Sequence, residues 1–448
     1  MAPLRTFLLA LLLTLSGFAP GLQAQPLDAL SGNQASAESE SKPAQPSLTE
    51  QAQQQQDQAA TSAQQLEDLK RLLAQAPREI ETAQRDLGKL KAGPTPDPAK
   101  RHAGLSVEAL EQRLAQRLTE LSDWQKQLTE ANSLIITAQT RPERAQSQIA
   151  NAQSRIQTLN AQLKSGRDNG KALSDEQRAL IEAEIAALTA QIELRRQELA
   201  GNSLLQDLGK ARRDLLAERI RRAEEETQAL QSLINEKRRA ESEQTVAEFS
   251  ARVQQAGSDK LLAAESAENL KLSDYLLRAT ERLNRLNQQN LQTRQQLDTL
   301  NQTDQALEEQ IAVLEGSLLL SRILYQQKQA LPSLQLDKNL ADEIADIRLY
   351  QFELNQRREA SGNAAAYVDQ LLAQQNEEEV TPELRRTLLE LATTRSELLD
   401  RLNRELDALL NASITLQLNQ KQLQDTASAL RNTLDEQMFW IPSNKPLD

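Results

Sequence analysis

The chain has 448 residues, with 52 Lys+Arg against 64 Asp+Glu and a formal net charge of −12. Two Trp, four Tyr and five Phe leave little aromatic surface for a globular core, and 13 Gly with 14 Pro are few for a sheet's turns. Ala, Leu, Glu, Arg and 55 Gln favour helices instead, so β-rich and α/β folds are excluded and the expected class is all-α: elongated antiparallel helical hairpins or a coiled-coil bundle, with no sheet.

Residues 1–24 read as a secretory signal peptide. Arg5 is the positive start, Phe7 to Leu15 form an apolar stretch broken by Thr14, and Leu22-Gln23-Ala24 offers a small residue before Gln25. The stretch is short for a spanning helix, which needs about 20 apolar residues. The chain is therefore expected to be exported to a Gram-negative periplasm. Residues 25–60, rich in Ser, Glu, Gln and Pro, are expected to form a disordered polar leader.

From 61 to 270 the pattern is coiled-coil, interrupted by a loop from Lys91 to Gly104 that carries Pro94, Pro96 and Pro98. Leu114, Leu118, Leu121, Gln125 and Leu128 step by four and three, as do Ile149, Ala152, Ile156, Leu159 and Leu163. Ser165 to Gly170 reads as a turn, and Ser174 with Gln177 as a capping box opening the next helix. Gly201-Asn202 and Gly257-Ser258-Asp259 offer further places to fold back, although a lone Gly such as Gly201 or Gly209 is also tolerated inside a helix. A second helical region, 271–448, holds the longest seams. Leu283, Leu286, Asn290, Thr293, Leu297, Leu300, Asp304, Leu307, Ile311, Leu314 and Leu318 alternate three and four, and Leu402, Leu409, Leu416, Leu423 and Leu430 repeat every seventh position. Such a seam must be buried against a partner helix. Asn290, Thr293 and Asp304 sit within it, where a polar residue fixes register more often than it marks a bound ion.

Chemistry is scarce. With no Cys there is neither thiolate nucleophile nor disulfide, and the single histidine, His102, lies between a Pro-rich turn and a helix start, where it reads as a solvated loop residue. Net negative charge argues against a nucleic-acid partner. The pairs Arg212-Arg213, Arg221-Arg222 and Arg238-Arg239 are interleaved with Glu218 and Glu224–Glu226, the pattern of a solvated helix face. Gly88 and Gly93 have phosphate-loop spacing, but Pro94 stands where a Lys is needed. Glu377, Glu378 and Glu379 are consecutive, so they point in different directions on a helix. No catalytic, cofactor or metal site is expected, and the chain does not read as an enzyme. The densest large-apolar group after the signal peptide is Met438-Phe439-Trp440-Ile441. Two readings compete for it: a helix-terminal plug, or a membrane-interface anchor, since Trp favours the interface where its ring is half apolar and its N–H stays wet.

Three stretches carry a family likeness: Gln228 to Arg239 (QALQSLINEKRR), Leu307 to Pro332 (LEEQIAVLEGSLLLSRILYQQKQALP) and Ile344 to Glu353 (IADIRLYQFE). With the closing Gln437 to Asp448, they resemble the N-terminal periplasmic region of the large mechanosensitive channels of the MscS superfamily, the KefA/MscK type. In that likeness the helical "MscS porin" region covers about 60 to 270, and the later helices match the segment before the first membrane helices. The resemblance implies a periplasmic helical extension of an osmotic-protection channel that modulates gating or touches cell-wall material such as peptidoglycan. It also implies homo-oligomeric self-association through helical seams. Contact with the inner membrane would come through a C-terminal portion absent here, because the chain ends where the family's membrane helices begin. It favours the anchor reading of Met438, Phe439 and Trp440. The family's pore-lining residues have no counterparts in this chain. The alternative is a free-standing periplasmic coiled-coil scaffold or adaptor protein, although an adaptor needs β-rich flanks and no strand pattern is present.

Overall fold

The computed structural model describes residues 46–93, 97–168, 170–314, 318–331, 333, 334, 336–375 and 380–439. The signal-peptide stretch, the leader as far as residue 45, Glu377 to Glu379 and Trp440 lie outside the described residues. Within them the elements are α1 (Leu48–Ala92), α2 (Pro98–His102), α3 (Val107–Ser165), β1 (Arg167–Asp168), β2 (Lys171–Ala172), α4 (Asp175–Gln255), α5 (Lys260–Leu314), α6 (Leu318–Ala330), α7 (Leu340–Ala360), α8 (Ala364–Ala373) and α9 (Pro382–Phe439). The fold is all-α. Among the described residues its one departure from a sheet-free chain is the ladder of β1 and β2, Arg167 opposite Ala172, which closes the expected turn. Gly166 (φ 65°) and Gly170 (φ 84°) make that turn possible, since side chains disfavour such backbone angles.

Three local starts show how the sequence sets the helices. The capping box expected at α4 is present: Gln177 N donates to Ser174 Oγ (3.1 Å) and Ser174 N to Gln177 Oε1 (2.9 Å). A second box corrects the expected leader. Ser47 N donates to Glu50 Oε2 (2.8 Å) and Glu50 N to Ser47 Oγ (3.2 Å), so α1 begins at Leu48 rather than near 61. Its Gln- and Ala-rich first turns are polar but good helix formers, and low hydrophobicity alone does not prevent a capped helix. The expected loop 91–104 also contains a helix, α2. Pro98 occupies its first turn, where no N–H is missed, and Asp97 Oδ1 accepts from Ala99 N at 3.1 Å.

The chain divides into two units, Met1–Leu90 with Glu130–Leu215, and Lys91–Thr129 with Leu216–Asp448. In the first, α3 and α4 run antiparallel: Arg155 Nε donates to Glu184 Oε1 (2.7 Å), and Asn202 Nδ2 to Ala138 O (2.7 Å). α1 lies parallel to α4, with Arg212 Nη2 on Glu79 Oε2 (2.5 Å) and Ala83 clustered with Ala211 and Leu215. Leu69, Leu72, Ala76, Leu134, Leu194, Leu205 and Leu208 form the core between them. Gly209 lets α3 come close: a Cβ there would lie 2.8 Å from Ile135 Cγ1 and 3.1 Å from Ala131 O.

Gly201-Asn202, offered by the sequence as a fold-back, is instead interior to α4. The reason lies across the interface. Pro142 sits inside α3 without an N–H, which deprives the Ala138 carbonyl of its usual helical partner. The Asn202 amide supplies the missing donor from the neighbouring helix. Of the two readings left open for Gly201-Asn202, the in-helix one holds, and it is the place where α4 repairs α3.

In the second unit, the turn containing Gly257 (φ 61°) reverses the chain from α4 into α5, as expected. Ser242 Oγ meets Thr280 Oγ1 at 2.8 Å, and Asn284 Nδ2 donates to Asn235 O at 2.9 Å. α9 lies parallel to α5. Asn269 Nδ2 donates to Leu391 O (3.1 Å) and Asn290 Nδ2 to Ala412 O (2.9 Å). α7 returns antiparallel to both, pairing Arg282 with Glu343, Arg357 with Glu268 (3.2 Å) and Arg358 with Asp400 (3.1 Å). The seams fall where the heptads place them. Leu283, Leu286, Thr293, Leu297, Leu300 and Leu307 are buried on α5, and Leu402, Leu409, Leu416, Leu423 and Leu430 on α9. Asn290, Asp304 and Ile311 are half-buried.

The seam makes a quantitative prediction. Leu300 is 4% exposed, so Leu300→Ala should cost about 2–5 kcal/mol. Gln305 is exposed, so Gln305→Ala should change stability by less than about 0.5 kcal/mol. Urea unfolding of the purified variants measures both, and equal losses would place the seam in the wrong register.

Candidate functional site

Two buried charged clusters stand out in the second unit. The first centres on Arg395, which occupies a seam position of α9 between Leu391 and Leu398. Its Nε donates to Asn269 Oδ1 (2.7 Å), Nη1 to Tyr367 OH (3.0 Å) and Nη2 to Glu265 O (2.9 Å). The Glu265 carboxylate is 2.8 Å from Nη1 and also accepts from Tyr367 OH (3.0 Å). One guanidinium thereby ties α5, α8 and α9 together, and every polar group it faces is satisfied. That is what burying a charge requires. Sequence reasoning passed over Arg395; the available signal was a lone Arg in a leucine seam.

The second cluster corrects the reading of His102. It is 7% exposed rather than solvated, and Nε2 donates to Glu226 Oε1 at 3.0 Å. Arg117 Nε lies 2.7 Å from the other carboxylate oxygen, and Arg113 is 3.5 Å away. Burial opposes ionisation of Glu226, yet Arg117, His102 and Arg113 outweigh it and hold the carboxyl below its ordinary pKa. The cluster joins α2 and α3 to α4. Nothing local in the sequence could reveal it, because Glu226 lies far along the chain.

Both clusters tie helices together through buried ion pairs: the Arg395 guanidinium has every nitrogen bonded, whereas in the Glu226 cluster Arg113 and Arg117 are held by charge rather than by well-aligned Nε hydrogen bonds. A more open feature is a cleft of about 680 Å³ with a mixed lining, Glu224, four glutamines and two threonines on one hand and Leu300, Ala330 and Leu331 on the other. Burial, and then the charge of Asp298, pushes Glu224 up; burial also pushes Asp298 up, against the pull of Arg294. Among the described residues, no group of three or more His, Cys, Asp or Glu is placed to hold a metal ion.

The two kinds of carboxylate have opposite pH signatures. Glu226 is depressed in the fold, so its contribution is present above the unfolded pKa and is lost as pH falls through the folded one. Asp298 is raised, so its burdening of the fold is absent at low pH and complete once pH exceeds its folded pKa. Glu226→Gln should therefore destabilise at pH 7 by about 1–3 kcal/mol, whereas Asp298→Asn should stabilise at pH 7. Both differences should shrink at acid pH, below the unfolded carboxylate values of about 4. Thermal melts across pH check the signs.

At the end of α9 the structure separates the proposed anchor residues. Met438 is half-buried and packs against the cluster of Leu297, Leu300, Leu307, Leu324, Leu430 and Leu434, whereas Phe439 is 84% exposed. Trp440 lies outside the described residues. Among the described residues, no helix is long and apolar enough to cross a membrane.

Comparison with known proteins places this architecture. The sequence profile described as the mechanosensitive ion channel porin domain matches residues 26–264. Mechanosensitive channel MscK of Escherichia coli (strain K12) is 37% identical over 349 residues, which cover 77% of this chain and 31% of that protein. An uncharacterized MscS family protein of Haemophilus influenzae is 32% identical over 250 residues, covering 56% of this chain and 22% of the relative. Miniconductance mechanosensitive channel MscM of E. coli is 26% identical over 265 residues, 59% of this chain and 23% of that protein. The chain thus spans less than a third of the length of these curated relatives. With a profile match over more than half of its residues, the chain belongs to the MscS family of mechanosensitive channels, in its porin-domain region of the MscK type.

Proposed function

We propose that the chain is exported and forms the periplasmic helical extension of a mechanosensitive channel, contributing to osmotic protection by modulating gating or by contact with the cell wall. The observation that carries this reading is the alignment with MscK, which covers most of this chain but under a third of that protein. The organisation we assign is a signal peptide over 1–24, a polar leader up to the Ser47 cap, a porin-type helical region to about 270, and a second helical region, 271–448, leading to the membrane part. Long helices with leucine seams suit a mechanical extension, because they carry displacement along their axes without an internal site for chemistry. In the assembled channel, copies of the chain associate as a homo-oligomer.

Two experiments test the reading. Alkaline phosphatase fused after residue 448 should be active when the chain is made in a Gram-negative host, and an inactive fusion would remove the export claim. In a full-length channel carrying this chain, deleting residues 26–264 should change the tension at which patches open while leaving unit conductance intact. An unchanged threshold would remove the gating role.

The anchor is the finer part of the proposal. The exposure of Phe439 supports an outward-facing end to α9, and the packing of Met438 supports a plug one residue earlier. Trp440 fluorescence distinguishes the two, after Trp124→Phe leaves it the sole Trp. A blue shift with anionic liposomes, together with protection from a soluble quencher, is the expected result. The absence of both effects would favour the plug.

A further inference from the structure

α7 buries one apolar face and carries a short apolar patch on the other. Leu340, Ile347 and Leu354 face inward and are buried. On the opposite side Ala345, Leu349 and Phe352 are exposed, Leu349 by 60% and Phe352 by 61%. With Leu349 and Phe352 at the a and d positions of a heptad, Ala345 is the preceding d and Gln356 the following a, and the acidic Asp342 and Glu359 bound this short patch at the a and d positions beyond them. The buried residues then fall at f, diametrically opposite the seam. A large exposed Phe beside an exposed Leu, between charged flanks, marks a small contact surface.

The charges beside the seam indicate what covers it. In this frame Arg348 is a g position and Glu353 the e position of the next heptad. Among the described residues neither makes an ion pair within the chain. Two copies of α7 side by side and parallel place Arg348 of each against Glu353 of the other, the g-to-e′ pairing that sets orientation in parallel coiled coils. An antiparallel pair would set Arg348 against Arg348 and Glu353 against Glu353. We infer that the outer face of α7 is where copies of this chain meet, parallel and in register, through Leu349 and Phe352 flanked by Arg348–Glu353 ion pairs. This rests on the channel reading only for the tether that holds the copies at high local concentration. Two side chains at the centre of a single face fall well short of the about 800 Å² per partner of a stable dimer, so the contact alone is weak and gains from tethering.

The absence of Cys makes the test direct. Ala345→Cys keeps Leu349 and Phe352 and, in a parallel pair, meets its own counterpart. Mild oxidation of the purified chain at high concentration should give disulfide-linked dimers in several-fold higher yield than Leu418→Cys, an exposed position (62%) on α9. Arg348→Glu should lower the Ala345→Cys yield to the control level, and adding Glu353→Arg should restore it. Equal yields at 345 and 418 would overturn the proposal. So would preferential linkage in a mixture of Ala345→Cys with Gln356→Cys, the signature of antiparallel pairing. The outcomes are separable from those of the channel reading: an exported chain without the preference loses only this contact, and a non-exported chain with it loses only the channel reading.

Discussion

The arrangement of the second unit depends on one constraint, the axial register of two parallel helices, α5 and α9. Leucines alone set such a register weakly, because each seam looks much the same one heptad along. The amides of Asn269 and Asn290 remove that degeneracy by donating to single carbonyls, Leu391 O and Ala412 O, at the same offset along the pair. Arg395 adds a third point, where a wrong register would leave a buried guanidinium without acceptors. Once α5 and α9 are fixed, the ion pairs of α7 with both of them have only one place to form.

The first unit solves a different problem, how to pack narrow helices that lack aromatic side chains. Its answer is close approach. Gly209 brings α4 near the backbone of α3, and alanines such as Ala76, Ala83 and Ala211 line the contacts. Pro142 would weaken α3, but the carbonyl it orphans is bonded by Asn202. The proline therefore makes α3 dependent on α4 at that level, and each helix is complete only beside the other.

Much of this was legible in the sequence because it follows from period and local capping. The leucine seams of α5 and α9, the Ser174–Gln177 box, the turn at Ser165–Gly170 and the reversal at Gly257 all appear where spacing and backbone chemistry place them. Most of what the sequence did not reveal has one cause, a partner remote in the chain. His102 looked solvated because Glu226 is supplied by another helix, and the sequence left open whether Gly201-Asn202 turns or continues the helix because Pro142 and Leu73, which it serves, are remote. The early start of α1 was different: Ser47 and Glu50 were present as a signal, but the polar composition after them argued for disorder. Arg395 was visible as an odd residue in a seam, although its three partners on two other helices were not.

The pairing of Asn269 and Asn290 with α9 has a mechanical consequence. For α9 to slide along α5 and find equivalent leucine sockets, it must travel a whole heptad, about 10 Å at 1.5 Å per residue. Any smaller slip breaks both amide bonds at once and lifts every knob from its hole, with no intermediate resting place. The pair therefore behaves as a ratchet with a coarse pitch. Small axial loads are passed undiminished from one end of the two helices to the other, and only a load large enough to cross a full notch can dissipate between them.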